Sequence, residues 1–302
     1  MLDKINSLPP AVMIFILLII MVIVFNILKT IIKLLLPQKL KNLSVFIAIA
    51  LVAWFVISQN TPSVTYHNVY FNNLPENLNG YKITQISDIH LDSNYNYNIE
   101  KSFELIKKEN SDLLVFTGDA ITKQSDDFEK AAKLFKNIKN KDGIYAVLGN
   151  HDYYNCNRKN MKYSFEKNNL ILLENSNKKI KTGLYIAGVE DVFTAFPDVK
   201  KAFQDIPENN VIIFLSHSSD IIDSVPDKDM LMLAGHTHGG QICIPFIDKS
   251  KMPRLSNEKY IEGYYKIGKI QLYINRGIGY IKPAIRLFAK PEISVFTLKN
   301  KE

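Results

Sequence analysis

Five short fragments carry residues able to do chemistry together: Asp88-Ile89-His90, Gly118-Asp119, Gly149-Asn150-His151-Asp152, His217, and Gly235-His236-Thr237-His238. Carboxylates and imidazoles without thiolates form a hard and borderline donor set, which suits Mn, Fe or Zn in a catalytic site better than a structural zinc site. Asp88, His90, Asp119, Asn150, His217, His236 and His238 are more ligands than one catalytic metal needs. Two divalent metal ions sharing a carboxylate, about 3.5 to 4 Å apart, would use them. Such a pair lowers the pKa of a bridging water and neutralises charge on phosphoryl oxygens in the transition state.

Taken singly, the fragments have ordinary readings. Asp-x-His is a pattern that chance supplies, Gly-Asp is a common turn, and a histidine after a strand is more often a satisfied rim residue than a ligand. Position is what sets them apart. Lys82 to Ser87, Asp112 to Thr117, Ile144 to Leu148, Val211 to Ser216 and Met230 to Ala234 are short apolar runs rich in branched residues, and each runs directly into one of the fragments. Ligands in α/β sheets collect beyond the carboxyl ends of strands, so these side chains are expected to converge.

Between the runs, Ile99 to Asn110, Asp126 to Asn140 and Lys159 to Asn169 have helical spacing and charged outer positions, and predict helices covering a sheet. Val64 to Phe71, Leu184 to Val189, Gln271 to Asn275 and Ile293 to Leu298 are further strand candidates, the late ones separated by turns. Alternating strands and helices followed by β-rich sequence predict an α/β sandwich of two mixed β-sheets rather than a purely parallel doubly wound sheet.

In order and type, Asp-x-His, Gly-Asp, Gly-Asn-His-Asp, His and Gly-His-x-His across Asp88 to His238 resemble the calcineurin-like metallophosphoesterase family. The later stretches Tyr273 to Gly279 (YINRGIG) and Ile285 to Ile293 (IRLFAKPEI) are similar to its membrane-associated bacterial branch. The resemblance implies a four-layer αββα sandwich with a dinuclear centre. It implies Asp88, His90 and His238 on the first metal, Asn150, His217 and His236 on the second, and Asp119 between them. His151 would stand beside the scissile bond as proton donor, oriented by Asp152. The reaction implied is hydrolysis of a phosphoester or pyrophosphate bond. A nuclease with the same centre and a non-catalytic metal-binding receptor or scaffold are the alternatives; the His151-Asp152 pair argues against the latter, since a binding module has no need of a leaving-group acid.

Most of the formal charge of +7 belongs to the first 58 residues, which hold five Lys and one Asp, so the remainder is close to balance and lacks the basic stripe of a nucleic-acid binder. Ala11 to Leu28 is apolar except for Asn26, and Leu43 to Ile57 except for Ser44. Residues 1–60 are therefore expected to be a membrane anchor with transmembrane helices at about 9–28 and 42–58, the second being a crossing or an interfacial helix, and residues 61–302 the metallophosphoesterase domain. Lys29, Lys33, Lys39 and Lys41 between the runs make the linker cytoplasmic by the positive-inside bias, giving an integral membrane protein with an exoplasmic domain. The expected partners are the lipid bilayer and a phosphorylated lipid or envelope substrate.

Two cysteines, Cys156 and Cys243, are too few for a disulfide framework. His67 reads as structural, and Tyr153-Tyr154 as aromatic packing, with stacking on a base or sugar as the alternative. Lys282, Arg286 and Lys290, interleaved with apolar residues, read as a lipid-facing rim or a solvated strand edge.

Overall fold

The computed structural model describes residues 10–91, 97–122, 125–155, 157–243, 259–282 and 284–301. Two helices, α1 (Pro10–Leu35) and α2 (Leu43–Gln59), pack together as a hairpin. Next come β1 (Ser63–Phe71), β2 (Lys82–Ile86), α3 (Tyr97–Glu109), β3 (Leu113–Thr117), α4 (Ser125–Leu134), β4 (Ile144–Val147), α5 (Asn150–Asn155), α6 (Arg158–Lys167) and β5 (Leu170–Leu172). The chain continues through β6 (Ser176–Lys181), β7 (Leu184–Gly188), α7 (Val199–Ala202), β8 (Val211–Leu215), β9 (Met230–Ala234), β10 (Gly263–Ile267), β11 (Ile270–Ile274) and β12 (Glu292–Asn300).

The strands form two six-stranded sheets, ordered β1-β12-β2-β3-β4-β5 and β10-β11-β9-β8-β7-β6. Both are mixed: β12 runs antiparallel to β2 in the first, and β10 to β11 and β6 to β7 in the second, while the remaining pairs are parallel. The central strands β3, β8 and β9 are buried along their whole length, which is why they read as unbroken apolar runs rather than alternating ones. Ile83, Val115, Val147, Ile213, Leu231 and Phe296 fill the space between the sheets.

On the far face of the first sheet, Ile99, Phe103 and Ile106 of α3, Phe128 and Ala131 of α4 and Phe165 of α6 pack on Phe116 and Ile86. Their i, i+3, i+4 and i+7 spacing supplies the apolar stripe. The far face of the second sheet is covered more thinly, by Val199 and Ala202 of α7 and by Ile221 and Val225 around a 3-10 turn, on Phe214, Met230 and Met232. The expected two-sheet sandwich is present, with an outer layer of unequal depth on its two sides.

The expected N-terminal transmembrane helices are not. Among the described residues no helix is long and apolar enough to cross a membrane, which overturns that expectation and, with it, the placement of the chain as an integral membrane protein with an exoplasmic domain. α2 has 17 residues. At about 1.5 Å per residue it reaches roughly 26 Å, short of the roughly 30 Å hydrocarbon core. In α1 the side chains of residues 10–18 lie outside the described residues, as does all of Pro9, and the rest of the helix carries Lys29 and Lys33. The hairpin is tied to the sandwich at the end of α2: Asn60 Oδ1 accepts from the Arg286 N–H at 2.8 Å, and Gln59 Oε1 from the Phe288 N–H at 3.2 Å.

Candidate metal centre

The parallel strands deliver the chemistry. Asp88 and His90 follow β2, Asp119 follows β3, and Asn150 begins α5 just after β4; from the facing sheet, His217 follows β8, and His236 and His238 follow β9. To turn these side chains inward the backbone leaves the extended region at once. Asp88 (φ 50°), His90 (47°), Asp119 (59°), His236 (70°) and His238 (53°) all have left-handed φ, a conformation that costs a non-glycine residue of order 1 kcal/mol or more and clusters at functional sites. Two glycines let the loops close on one another. A Cβ on Gly149 would lie 2.7 Å from both Asp119 N and His217 Cε1, and one on Gly277 would lie 2.6 Å from Asp88 Cβ.

The donors meet in three overlapping groups, Asp88–His90–His238, His90–Asp119–His151 and Asp119–His217–His236, each with ligand atoms within 4.8 Å of one another. Asp119 Oδ2 is 3.3 Å from His90 Nε2 and 3.3 Å from His217 Nε2, so one carboxylate oxygen touches both ends of the array. His238 Nε2 faces His90 Nε2 at 3.0 Å, and His236 Nδ1 faces His217 Nε2 at 3.1 Å. The Asn150 Oδ1 atom is buried and accepts no hydrogen bond. His217 Nδ1 donates to Thr117 O at 2.8 Å, which orients the ring and leaves Nε2 for the centre, the usual arrangement behind a ligating histidine.

This arrangement fits divalent cations. Imidazole nitrogens approach in pairs at about hydrogen-bond distance around two carboxylates with 0% and 2% exposure, a nitrogen and oxygen donor set of the kind that holds Mn, Fe or Zn. Burial acts against ionisation of Asp119, but His217 and His90 beside it hold its carboxyl well below the usual carboxylate range. Burial and the neighbouring His217 push His236 down to about 3, so the ring is neutral near pH 7, the form in which imidazole ligates metals. Burial pushes Asp88 up.

His151 stands at the edge of the group, its ring packed edge-on against His90 with centroids 4.8 Å apart. Its Nδ1 donates to the carbonyl of Thr122 at 3.0 Å, which fixes the orientation of the ring. The expectation that Asp152 orients His151 is corrected here. The Asp152 carboxylate accepts from the backbone N–H groups of Gly149 (3.0 Å), Asp119 (3.0 Å), Ala120 (2.8 Å) and Ile121 (3.4 Å), and thereby clamps the loop after β4 to the loop after β3. Burial and the charge of Asp119 push its pKa up to about 7, against those N–H donors. In Asp152→Asn the amide NH2 would confront some of the same donors, so stability is expected to fall by about 2 to 4 kcal/mol, read from urea unfolding. Unchanged stability would contradict the clamp.

One residue of the site escaped the sequence reading. Arg286, expected on an exposed rim or strand edge, is fully buried and lies against His238, with Nη2 3.1 Å from Nδ1. The only signal for it was its place in the Ile285 to Ile293 stretch. His67 is structural as expected, with its ring on Tyr273 (4.6 Å) and Phe296 (5.4 Å). Tyr153 packs on the core of the first sheet and Tyr154 is exposed. Cys243 is buried and its thiol donates to Gly239 O; Cys156 lies outside the described residues.

Known proteins are similar to this chain in sequence. The chain is 30% identical over 244 residues to the uncharacterized metallophosphoesterase YkuE of Bacillus subtilis (strain 168), covering 78% of the chain and 85% of that relative. It is 30% identical over 251 residues to the uncharacterized metallophosphoesterase Cj0846 of Campylobacter jejuni, covering 80% of the chain and 64% of the relative. A zebrafish protein named for a transmembrane chain with a metallophosphoesterase domain is 26% identical over 272 residues, covering 84% of the chain and 61% of the relative. The family model described as calcineurin-like phosphoesterase matches residues 81–255, the span from β2 past the last of the candidate ligand histidines. With most of its sandwich inside that match and its donors at the strand ends, this chain belongs to the calcineurin-like phosphoesterase family.

Proposed function

We propose that the protein hydrolyses phosphoester or pyrophosphate bonds at two divalent cations (Mn, Fe or Zn), the first held by Asp88, His90 and His238, the second by Asn150, His217 and His236, with Asp119 between them. One observation carries this reading: Asp119 Oδ2 lies at the same 3.3 Å from a histidine of each group. Bound there, the cations would lower the pKa of a water and neutralise charge gathering on the phosphoryl oxygens. The chain's own residues supply the rest. His151, fixed through Nδ1 by the Thr122 carbonyl, uses Nε2 to give a proton to the leaving oxygen or to stabilise the charge that develops on it. Asp152 holds His151 indirectly, by keeping the two loops in register.

For the substrate, the reading takes a phosphorylated lipid. Support comes from an apolar cavity of about 280 Å³ whose lining includes Val24, Leu28, Leu51, Phe55, Leu287 and Phe288, the last two next in sequence to the arginine that touches His238. A nuclease is disfavoured by the near balance of charge outside the first 58 residues.

The test is release of p-nitrophenol from bis(p-nitrophenyl) phosphate by chelator-treated protein with and without added Mn²⁺, followed by a screen of phospholipids, lipid-linked pyrophosphates and nucleotides. Hydrolysis that needs the cation and prefers a lipid is the expected result. Hydrolysis indifferent to chelator contradicts the mechanism, and a preference for nucleotides contradicts the substrate class.

A further inference from the structure

Arg286 raises a physical question that the hydrolytic chemistry does not answer. Taking a guanidinium out of water is costly unless every donor is met, and buried arginines usually meet a carboxylate. Here the side chain is 0% exposed and none of its hydrogen bonds goes to a carboxylate. Nε and Nη2 donate to Gly279 O at 2.9 and 2.6 Å, Nη1 donates to His238 O and Ala289 O at 3.1 Å each, and Nη2 sits 3.1 Å from His238 Nδ1. The fork therefore grips a single ligand histidine twice, by its main chain and by its ring.

Its other anchor is the turn that backs the same group. Gly279 N donates to Asp88 O at 2.8 Å and Ile278 N to Ser87 O at 3.0 Å, while a Cβ on Gly279 would meet Asp88 O at 2.8 Å. Only a glycine lets this turn lie so close behind Asp88. Thus one planar, five-donor group spans the backing of Asp88 and the orientation of His238, whose Nε2 faces His90 Nε2 at 3.0 Å and Asp88 Oδ1 at 3.5 Å. The main chain of Arg286 is in turn held from the far side by Asn60, which accepts from its N–H at 2.8 Å and donates to its carbonyl at 3.3 Å.

We propose that Arg286 is a positioning residue of the metal centre: its guanidinium fixes His238 and the 277–279 turn against Asp88, and so sets the affinity of the Asp88–His90–His238 group for a divalent cation. This rests on the reading of the site as a metal centre. Residues behind metal ligands commonly contribute 10- to 100-fold in affinity by orientation alone. Lysine cannot replace the arrangement, because a point charge with three donors does not reproduce a planar fork.

The experiment is calorimetric titration of Mn²⁺ into the full chain after chelator treatment, alongside thermal melting of the metal-free protein. In Arg286→Gln and Arg286→Lys, one Mn²⁺ step is expected to weaken by about 10- to 100-fold, while a second step stays within about threefold of wild type. If Arg286→Gln does not fold, Asn60→Ala loosens the same segment from its outer side, and weakening of the same single step by about threefold or more with melting retained supports the proposal. Equal Mn²⁺ affinity in wild type and all folded variants overturns the proposal while leaving the metal centre intact, as does full affinity in Arg286→Lys. Absence of Mn²⁺ binding in wild type overturns both this proposal and the reading beneath it.

Discussion

Asp119→Asn protein is expected to lose at least about 10³-fold in kcat on a phosphodiester, about 4 kcal/mol of transition-state stabilisation. The substitution is chosen because it keeps size and one oxygen: the amide still accepts from the His151 N–H, which meets Asp119 Oδ1 at 2.9 Å. What it removes is the negative charge shared by His90 and His217 at 3.3 Å on either side. Buried carboxylates next to imidazoles bind cations through charge, and an amide oxygen offers only a dipole. Metal content should fall in parallel with kcat. Activity within about tenfold of wild type would mean that the charge of Asp119 is not shared between two cations.

His151→Gln separates proton transfer from metal binding. A general acid commonly contributes 10²- to 10⁴-fold, and its loss matters most where the leaving group is a poor one. The expected result is about 10²-fold or greater loss on an alkyl phosphodiester, a much smaller loss on a p-nitrophenyl ester whose leaving oxygen needs no proton, and unchanged metal content. The contrast is informative because His151 also falls in one of the three ligand groups, with His90 and Asp119. Equal losses on both substrates together with lost metal would make His151 a ligand and remove it as the proton donor.

The seven donors were legible in the sequence for a physical reason: each sits within a few residues of the end of an apolar strand, and strand ends of two facing sheets converge. Features set by contacts between distant segments were not. The guanidinium of Arg286 is defined by groups near positions 238, 279 and 289, and its main chain by Asn60, 226 residues away, so local alternation of Lys, Arg and apolar residues pointed to an exposed edge. Adjacency in sequence pairs Asp152 with His151, but its carboxylate accepts from backbone N–H groups of its own loop at Gly149 and of the loop after β3 at Asp119 and Ala120.

Strand β6, Ser-Asn-Lys-Lys-Ile-Lys, escaped because it is an edge strand with exposed lysines, the pattern that guards sheet edges and hides them from a hydrophobicity scan. Strand β10, also at an edge, alternates between exposed and half-buried positions for the same reason. The apolar content of the hairpin predicts two spans, but α2 has only 17 residues and, among the described residues, no helix is long and apolar enough to cross a membrane.

The central claim is that seven side chains from two sheets surround two cations with Asp119 between them. A crystal grown with excess Mn²⁺ and measured at the manganese edge addresses it directly. Two anomalous peaks about 3.5 Å apart, one beside Asp88, His90 and His238, the other beside Asn150, His217 and His236, are predicted. A single peak away from Asp119, or no peak among these residues at full Mn²⁺, would contradict the account.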